Sequence, residues 1–161
     1  ITIEVDGVGG MLGYYIVGLP DNAVKESIDR ILSSLKNNQF EKPRIKIIIN
    51  LAPADLKKAG SAYDLPIAIG ILAATAQINA DLLREYVIMG ELSLDGQLRS
   101  LKGALPMAIQ ARKEGFKGLI LPQQNAREAA MVAGLDVYGA KDINEVILWA
   151  GRPACPRCRK R

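Results

Sequence analysis

Residues 50–73 read NLAPADLKKAGSAYDLPIAIGILA, and this stretch decides the fold of the chain. It opens at the end of an apolar run, residues 45–51, which is typical of a buried strand. A loop of small residues and lysines follows, and the apolar half after it predicts a central helix. Pro66 suits the first helical turn, and Asp64 is placed to cap the helix and meet the positive end of its dipole. A strand, a loop and a helix N-terminus together form a common place for chemistry in α/β proteins.

The length and composition predict one globular domain whose folded part has a net charge near zero. The chain has 161 residues, of which 49% are hydrophobic and 24% charged. Its net charge of +4 comes from five basic residues in the last ten positions, and the sixteen basic residues before them face seventeen acidic ones. The basic isoelectric point is therefore no argument for a nucleic-acid-binding surface on the folded part.

The basic tail predicts a boundary, with a domain over residues 1–151 and a tail over residues 152–161. The tail is expected to be disordered or derived from cloning. Cys155 and Cys158 form one C-x-x-C pair, which supplies half of a four-ligand zinc site, and the chain has no histidine to complete it. Because the domain needs no disulfide and has no apolar run of membrane-spanning length, we expect a cytoplasmic protein that does not enter a membrane.

The order of strand and helix patterns predicts an α/β (α+β) fold with a mixed sheet and packed helices. Residues 1–6 alternate between apolar and polar, and glycine-rich residues 7–13 predict a hairpin turn into a strand over residues 14–17. A helix with apolar positions from Val24 to Leu35 comes next. After residue 73 the chain alternates between short strands and helices, and residues 94–97 form a turn between two short strands.

The sequence excludes several common catalytic sites. The lack of histidine excludes Ser-His-Asp and Cys-His sites, and no G-x-x-x-x-G-K-[ST] motif is present. Ser-Lys chemistry is left, with Ser61 as nucleophile and Lys57, Lys58 or Lys102 as its base. The alternative is that the two loop lysines are solvated and Ser61 is a turn residue.

Residues 59–73, followed by MGELSLDGQ at 89–97, resemble the proteolytic domain of the Lon proteases. That family reads K-D-G-P-S-A-G before the helix and T-G-E-I-x-x-x-G-x-V after it, and the second motif is matched by Gly90, Glu91, Gly96 and Gln97. The resemblance implies a Lon-like fold. It places the catalytic serine of the family at Asp64 and its lysine at Met107, so that the dyad is absent.

A closer resemblance covers residues 1–149 and points to the bacterial magnesium-chelatase-like AAA+ proteins, the ComM/YifB family. It rests on YIVGLPDNAVKES at 15–27, NLAPADL at 50–56 and GSAYDLPIA at 60–68. The resemblance implies a short strand before Ile1 and a downstream ATPase module that binds ATP and Mg. It also implies a hexameric ring of identical subunits that acts on DNA, in ComM as a branch-migration helicase. No cofactor or metal is expected in this chain itself.

Three functions follow as hypotheses. The first is a non-catalytic domain for assembly or for binding DNA or a partner, in which Lys57 and Lys58, with Lys25 or Arg99, contact phosphates. The second is a residual Ser-Lys peptidase, and the third is a peptide-binding module with a free sheet edge beside the loop. The predicted binding loop consists of Asn50, Pro53, Asp55, Lys57, Lys58, Gly60, Ser61 and Asp64. Met107 is expected to be a core side chain.

Overall fold

A computed structural model of the chain describes residues 1–150, and residues 151–161, with Cys155 and Cys158 and the predicted tail, lie outside the described part. The strands are β1 (Thr2–Val8), β2 (Gly13–Val17), β3 (Lys46–Ala52), β4 (Tyr86–Ile88), β5 (Glu91–Leu92), β6 (Leu98–Arg99), β7 (Gly118–Pro122) and β8 (Asp136–Ala140). The helices are α1 (Asn22–Lys25), α2 (Ser27–Asn37), α3 (Asp64–Ala74), α4 (Ala104–Lys113), α5 (Ala126–Ala129) and α6 (Ile143–Ala150), with short 3-10 helices at Asp81–Glu85 and Gln123–Asn125. The predicted mixed α/β fold is confirmed.

The first sheet has the strand order β1-β3-β2, with β1 antiparallel and β2 parallel to β3. The predicted hairpin between β1 and β2 is therefore wrong, because β3 lies between these two strands. Residues 9–12 connect them, and four extended residues reach about 13 Å, enough to cross the roughly 10 Å of two strand spacings. β3 takes the middle position because its inward side chains, Ile47, Ile49 and Leu51, are fully buried.

The crossover from β2 to β3 contains two helices where the sequence predicted one. Asp21 caps α1, since its Oδ1 accepts a hydrogen bond from the Val24 N–H at 2.8 Å. Glu26 ends α1, and α2 follows at once with Ile31 and Leu35 buried against the core. The side chains of α2 thereby reach the beginning of α3.

Helix α3 is central, as predicted. Ile67, Ile71 and Leu72 are fully inaccessible to solvent and belong to the same cluster as the inward side chains of β3. The helix packs across β1 and beside α2, so its first turn meets the end of the loop that leaves β3. Burial of each such side chain contributes about 1.5–3 kcal/mol, which fixes the position of that turn.

The second half of the described chain forms a parallel sheet with the order β4-β7-β8 and the hairpin β5-β6 around the predicted turn. The two strands β4 and β5 are separate, because Gly90 leaves the sheet between them. Its N–H donates to the Ala62 carbonyl at 2.9 Å, and its carbonyl accepts from the Leu65 N–H at 3.0 Å. These bonds attach β5 to the start of α3. None of the helices in residues 1–150 combines the length and apolarity that a bilayer crossing requires.

Candidate functional site

The position that the Lon resemblance assigns to the catalytic serine holds a buried ion pair. The Asp64 side chain has no exposed surface, and Arg30 of α2 donates to it through Nε at 2.7 Å and Nη2 at 3.0 Å. The backbone N–H of Leu92 in β5 donates to the same carboxylate at 3.1 Å. Charge-assisted bidentate pairs of this kind are strong and fix geometry. The carboxylate therefore ties α2, α3 and β5 together.

Arg30 is held from the other side as well. Its Nη2 also donates to the Ala23 carbonyl at 3.0 Å and to Ser27 Oγ at 3.2 Å. The hydrogen bond to Asp64 raises the pKa of Arg30 above its already high value, partly against the opposing effect of burial. The guanidinium is thus permanently charged, and the Asp64 carboxylate has a fixed counter-charge.

The prediction that Asp64 caps α3 is wrong. Asp64 is the first residue of the helix, Tyr63 precedes it at the cap position, and no side chain caps the helix N-terminus. The carboxylate is engaged by Arg30 and Leu92 instead, because a fully buried charge gains more from a guanidinium than from helix N–H groups alone.

Ser61 is bound to an acid and not to a base. Its hydroxyl donates to Glu91 Oε2 at 2.5 Å, and within residues 1–150 no lysine forms a hydrogen bond with it. Lys57 and Lys102 are exposed. A Ser-Lys dyad needs a lysine within hydrogen-bond reach of the serine. The arrangement instead joins the loop to β5, beside the Arg30–Asp64 pair.

Lys58 lies where the sequence did not place it. It is fully buried, and its Nζ donates to the Pro53 carbonyl. Its backbone pairs with the segment after β2, since Lys58 N–H donates to Leu19 O at 3.0 Å and Asp21 N–H to Lys58 O at 2.9 Å. The expectation that Lys58 is solvated, or contacts a phosphate, is therefore wrong. This lysine closes the base of an exposed loop, residues 53–57, named the β3 loop below.

The other predicted binding residues are spread over the surface around this base. Pro53, Asp55 and Lys57 are exposed in the β3 loop. The Gly60 N–H donates to Asp21 Oδ2 at 3.3 Å. Asn50 faces β1, where its Nδ2 donates to Glu4 Oε2 at 2.6 Å. Of the cations in the β3 loop and its base, Lys57 alone keeps an exposed side chain.

Three further predicted residues lie apart from this group. Lys25 at the end of α1 and Arg99 in β6 are exposed. Met107 is only partly buried in α4, where the buried positions are Ala104, Ala108 and Ala111. The expectation that Met107 is a core side chain is wrong, because the alanines pack this helix against β7 and Met107 lies on its flank.

A cavity of about 680 Å³ lies along β1, away from Asp64. Its floor is formed by Ile3 and Val5 of β1 and by small residues of α3, and Arg84 lies at its wall. The outer edge of β1 pairs with no other strand of residues 1–150. No group of three or more acidic, histidine or cysteine side chains in the described part is arranged to hold a metal ion.

Sequence reasoning missed Arg30. A buried aspartate signals that a cation lies nearby, but not which one. Arg30 follows Ser27 by one turn on α2, at the flank of the apolar stripe, where most arginines face solvent. Glu91, the partner of Ser61, belongs to the second Lon motif, but no local pattern links it to a serine 30 residues earlier.

Residues 3–125 match the family model described as subunit ChlI of Mg-chelatase. The chain belongs to this family. It is 46% identical over 147 residues to the competence protein ComM of Haemophilus influenzae, which covers 91% of the chain and 29% of that protein. It is 48% identical over 134 residues to the uncharacterized protein YifB of Escherichia coli, which covers 83% of the chain and 26% of that protein.

A weaker similarity supports the Lon-like fold. Lon protease 2 of Bacillus subtilis is 26% identical over 124 residues, which covers 76% of this chain and 22% of that protein. The chain thus spans less than a third of the length of the curated relatives it matches. The magnesium-chelatase-like domain identified from the motifs is confirmed by these matches.

Proposed function

We propose that this chain is a non-catalytic domain of a longer magnesium-chelatase-like AAA+ protein, and that it serves assembly or the binding of DNA or a partner protein. The observation that carries this proposal is the Arg30–Asp64 pair. A fully buried carboxylate, held by three hydrogen bonds, occupies the position of the Lon nucleophile. A partly buried thioether, Met107, occupies the position of the lysine and cannot act as a base.

The surface that supports a binding role is the β3 loop. Leu56 is 52% exposed, and Lys57 is exposed beside it. Lys58 anchors the loop from below through the Pro53 carbonyl, so the exposed residues start from a fixed base. A loop held in this way is suited to recognition, because little order has to be created on binding.

A DNA-binding assay tests which partner the β3 loop contacts. Fluorescently labelled branched and single-stranded DNA are titrated with residues 1–161, with residues 1–150, and with residues 1–150 carrying Lys57→Ala, at two salt concentrations. Lys113→Ala on α4, also exposed, is the matched control. Loss of one phosphate contact should reduce the slope of log K against log salt by about 0.9 on duplex and about 0.7 on single strands.

If this domain contacts DNA, we expect salt-sensitive binding that persists after removal of residues 151–161. This binding should weaken with Lys57→Ala and stay unchanged with Lys113→Ala. Binding that disappears with residues 151–161, or is never observed, would assign this domain to assembly or partner docking. The proposed lack of catalysis is tested with casein and fluorogenic peptides. Hydrolysis that is abolished by Ser61→Ala would contradict it.

A second function, peptide binding, is favoured by one observation, the free edge of β1 beside the 680 Å³ cavity. An extended peptide can add to such an edge through backbone hydrogen bonds and place alternate side chains in the cavity. Ala74, an exposed cavity residue at the end of α3, is the position to test. Peptide capture from a library that Ala74→Glu abolishes would support this function, and capture that Ala74→Glu leaves unchanged would contradict it.

A further inference from the structure

β2 is an edge strand without the usual protection. β3 pairs with one side of it, and no strand of residues 1–150 pairs with the other. Its sequence, GYYIV, contains no charge and no proline. Tyr15 and Val17 are 46% and 47% exposed. Natural edge strands are normally blunted by lysine, proline, a bulge or a very short length. A neutral five-residue edge with two half-exposed apolar side chains is open to another strand.

The opposite edge of the same sheet differs. β1 carries Glu4 and Asp6, both exposed, at alternate positions on one face. If two copies of this strand paired antiparallel, carboxylates would approach each other, and like charges on facing strands are destabilising. β1 is therefore protected against a second copy of itself, and β2 is not.

We propose that β2 pairs antiparallel with β2 of a second copy of this chain, about a two-fold axis at Tyr15. In this register Tyr15 lies opposite Tyr15 of the second copy, and Gly13 lies opposite Val17 of the second copy. Because β2 carries no charge, it can pair with itself in this register without repulsion between like charges. An isologous contact of this kind closes at two subunits.

The position of the Tyr15 ring fits this register. A Cβ built on Gly13 would lie 2.8 Å from the Tyr15 ring, so the ring lies over Gly13 and uses the space that the missing side chain leaves. Each ring would then lie beside Val17 of the second copy, and aromatic and β-branched residues form favourable cross-strand pairs. Lys46 of β3 also contacts this ring, with Nζ 4.9 Å from its centroid.

The pairing would join two sheets into one of six strands with the order β1-β3-β2-β2-β3-β1. It requires neither DNA nor the β3 loop, and so goes beyond the function proposed above. A failure of DNA binding would leave it standing, and a failure of self-pairing would leave the DNA assay unaffected.

Sedimentation velocity of the 161-residue chain tests the proposal over protein concentrations from about 1 μM to about 1 mM, the range of weak to moderate complexes. We expect the mass to rise from 17.4 kDa towards twice that value. Val17→Lys, which adds the charge that edge strands normally carry, should raise the dissociation constant at least tenfold. Thr2→Lys, an exposed change on β1, is the matched control and should leave it unchanged.

A cross-link provides a second test that does not depend on affinity. With Cys155→Ser and Cys158→Ser in the background, Tyr15→Cys places two thiols opposite each other on the axis, and Thr2→Cys does not. Mild oxidation should yield a disulfide-linked dimer with Tyr15→Cys only. A chain that stays monomeric at all concentrations would overturn the proposal, as would self-association that Val17→Lys does not weaken or equal cross-linking of the two cysteine variants.

Discussion

At the scale of single residues, the central feature is the buried ion pair between Arg30 and Asp64. The resemblance to the Lon proteases assigns the nucleophile position to Asp64, and in the structure Arg30 neutralises this buried carboxylate. A buried carboxylate without a cation would be unstable, so the burial of Asp64 and the presence of Arg30 belong together. The same two residues explain why β5 leaves the second sheet, since the Leu92 N–H completes the set of donors.

Tyr63, which precedes α3, predicts how stability responds to alkali. Burial, with a smaller effect from the Asp21 carboxylate, raises the pKa of Tyr63 above its ordinary value of 10.0. The folded state thus favours the neutral phenol. The contribution of Tyr63 to the free energy of unfolding is complete below about pH 10, and it is lost as the pH rises through the folded-state pKa of Tyr63.

Tyr63→Phe should leave the free energy of unfolding at pH 7 within about 0.5 kcal/mol of the parent and make its decline above pH 10 less steep. Tyr14 and Tyr86, whose pKa values are also raised by burial, remain in both proteins and contribute to the slope that is left. Urea unfolding at a series of pH values measures the effect. An unchanged alkaline slope would show that Tyr63 does not contribute to it.

At the scale of elements, two adjacent lysines have opposite roles in the β3 loop. Lys58 is fully buried with its Nζ on the Pro53 carbonyl, whereas Lys57 is exposed. We expect Lys58→Ala to lower the free energy of unfolding by about 1–3 kcal/mol, because it removes a buried hydrogen bond and leaves a cavity. Lys57→Ala should change it by less than about 0.5 kcal/mol. Equal values in urea unfolding would contradict the anchoring role of Lys58.

The junction between β2 and α1 depends on a glycine. Gly18 has φ +105°, and a Cβ there would lie 2.1 Å from the Leu51 carbonyl oxygen of β3. Gly60 has a similar φ of +90° but no atom within 4 Å of its built Cβ. Gly60→Ala should therefore show conformational strain alone, about 1–3 kcal/mol.

Gly18→Ala should destabilise the domain by clearly more than Gly60→Ala, because the carbonyl that it meets cannot move without disturbing the pairing of β2 with β3. Thermal unfolding of the two variants compares strain with and without a clash. If Gly18→Ala were the milder change, the close approach of the two strands would not govern this junction.

At the scale of the whole molecule, the sequence predicted what depends on local pattern. The apolar run before Asn50 predicted the central strand, and residues 67–73 predicted the buried helix, because continuous apolar patterns are read directly. The motifs around these elements identified the family. The order β1-β3-β2 was not predicted. The glycine-rich segment between β1 and β2 is compatible with a hairpin and with the insertion of β3 between them, and packing determines which of the two forms.

The candidate site could be predicted only in part, because it also depends on packing between distant segments. Asp64 was singled out, but its partner Arg30 lies 34 residues earlier, and no local pattern joins the two. Lys57 and Lys58 are chemically identical in the sequence, and only the backbone pairing with Leu19 decides that one of them is buried. Contacts between distant segments thus determine which residues are structural and which are free to bind.

A double-mutant cycle on Arg30 and Asp64, measured by urea unfolding, tests most directly whether Asp64, which the resemblance assigns to the Lon nucleophile position, forms a structural ion pair with Arg30. Arg30→Met should lower the free energy of unfolding by about 3–5 kcal/mol. We expect a value at the low end of this range, because the Arg30 side chain is 21% exposed. Asp64→Asn should recover part of that loss, with a coupling of about 1–3 kcal/mol. The exposed Lys117–Glu85 pair, at 3.6 Å, is the control and should couple by less than about 0.5 kcal/mol. Additive losses at Arg30 and Asp64, or a neutral Arg30→Met, would contradict the account.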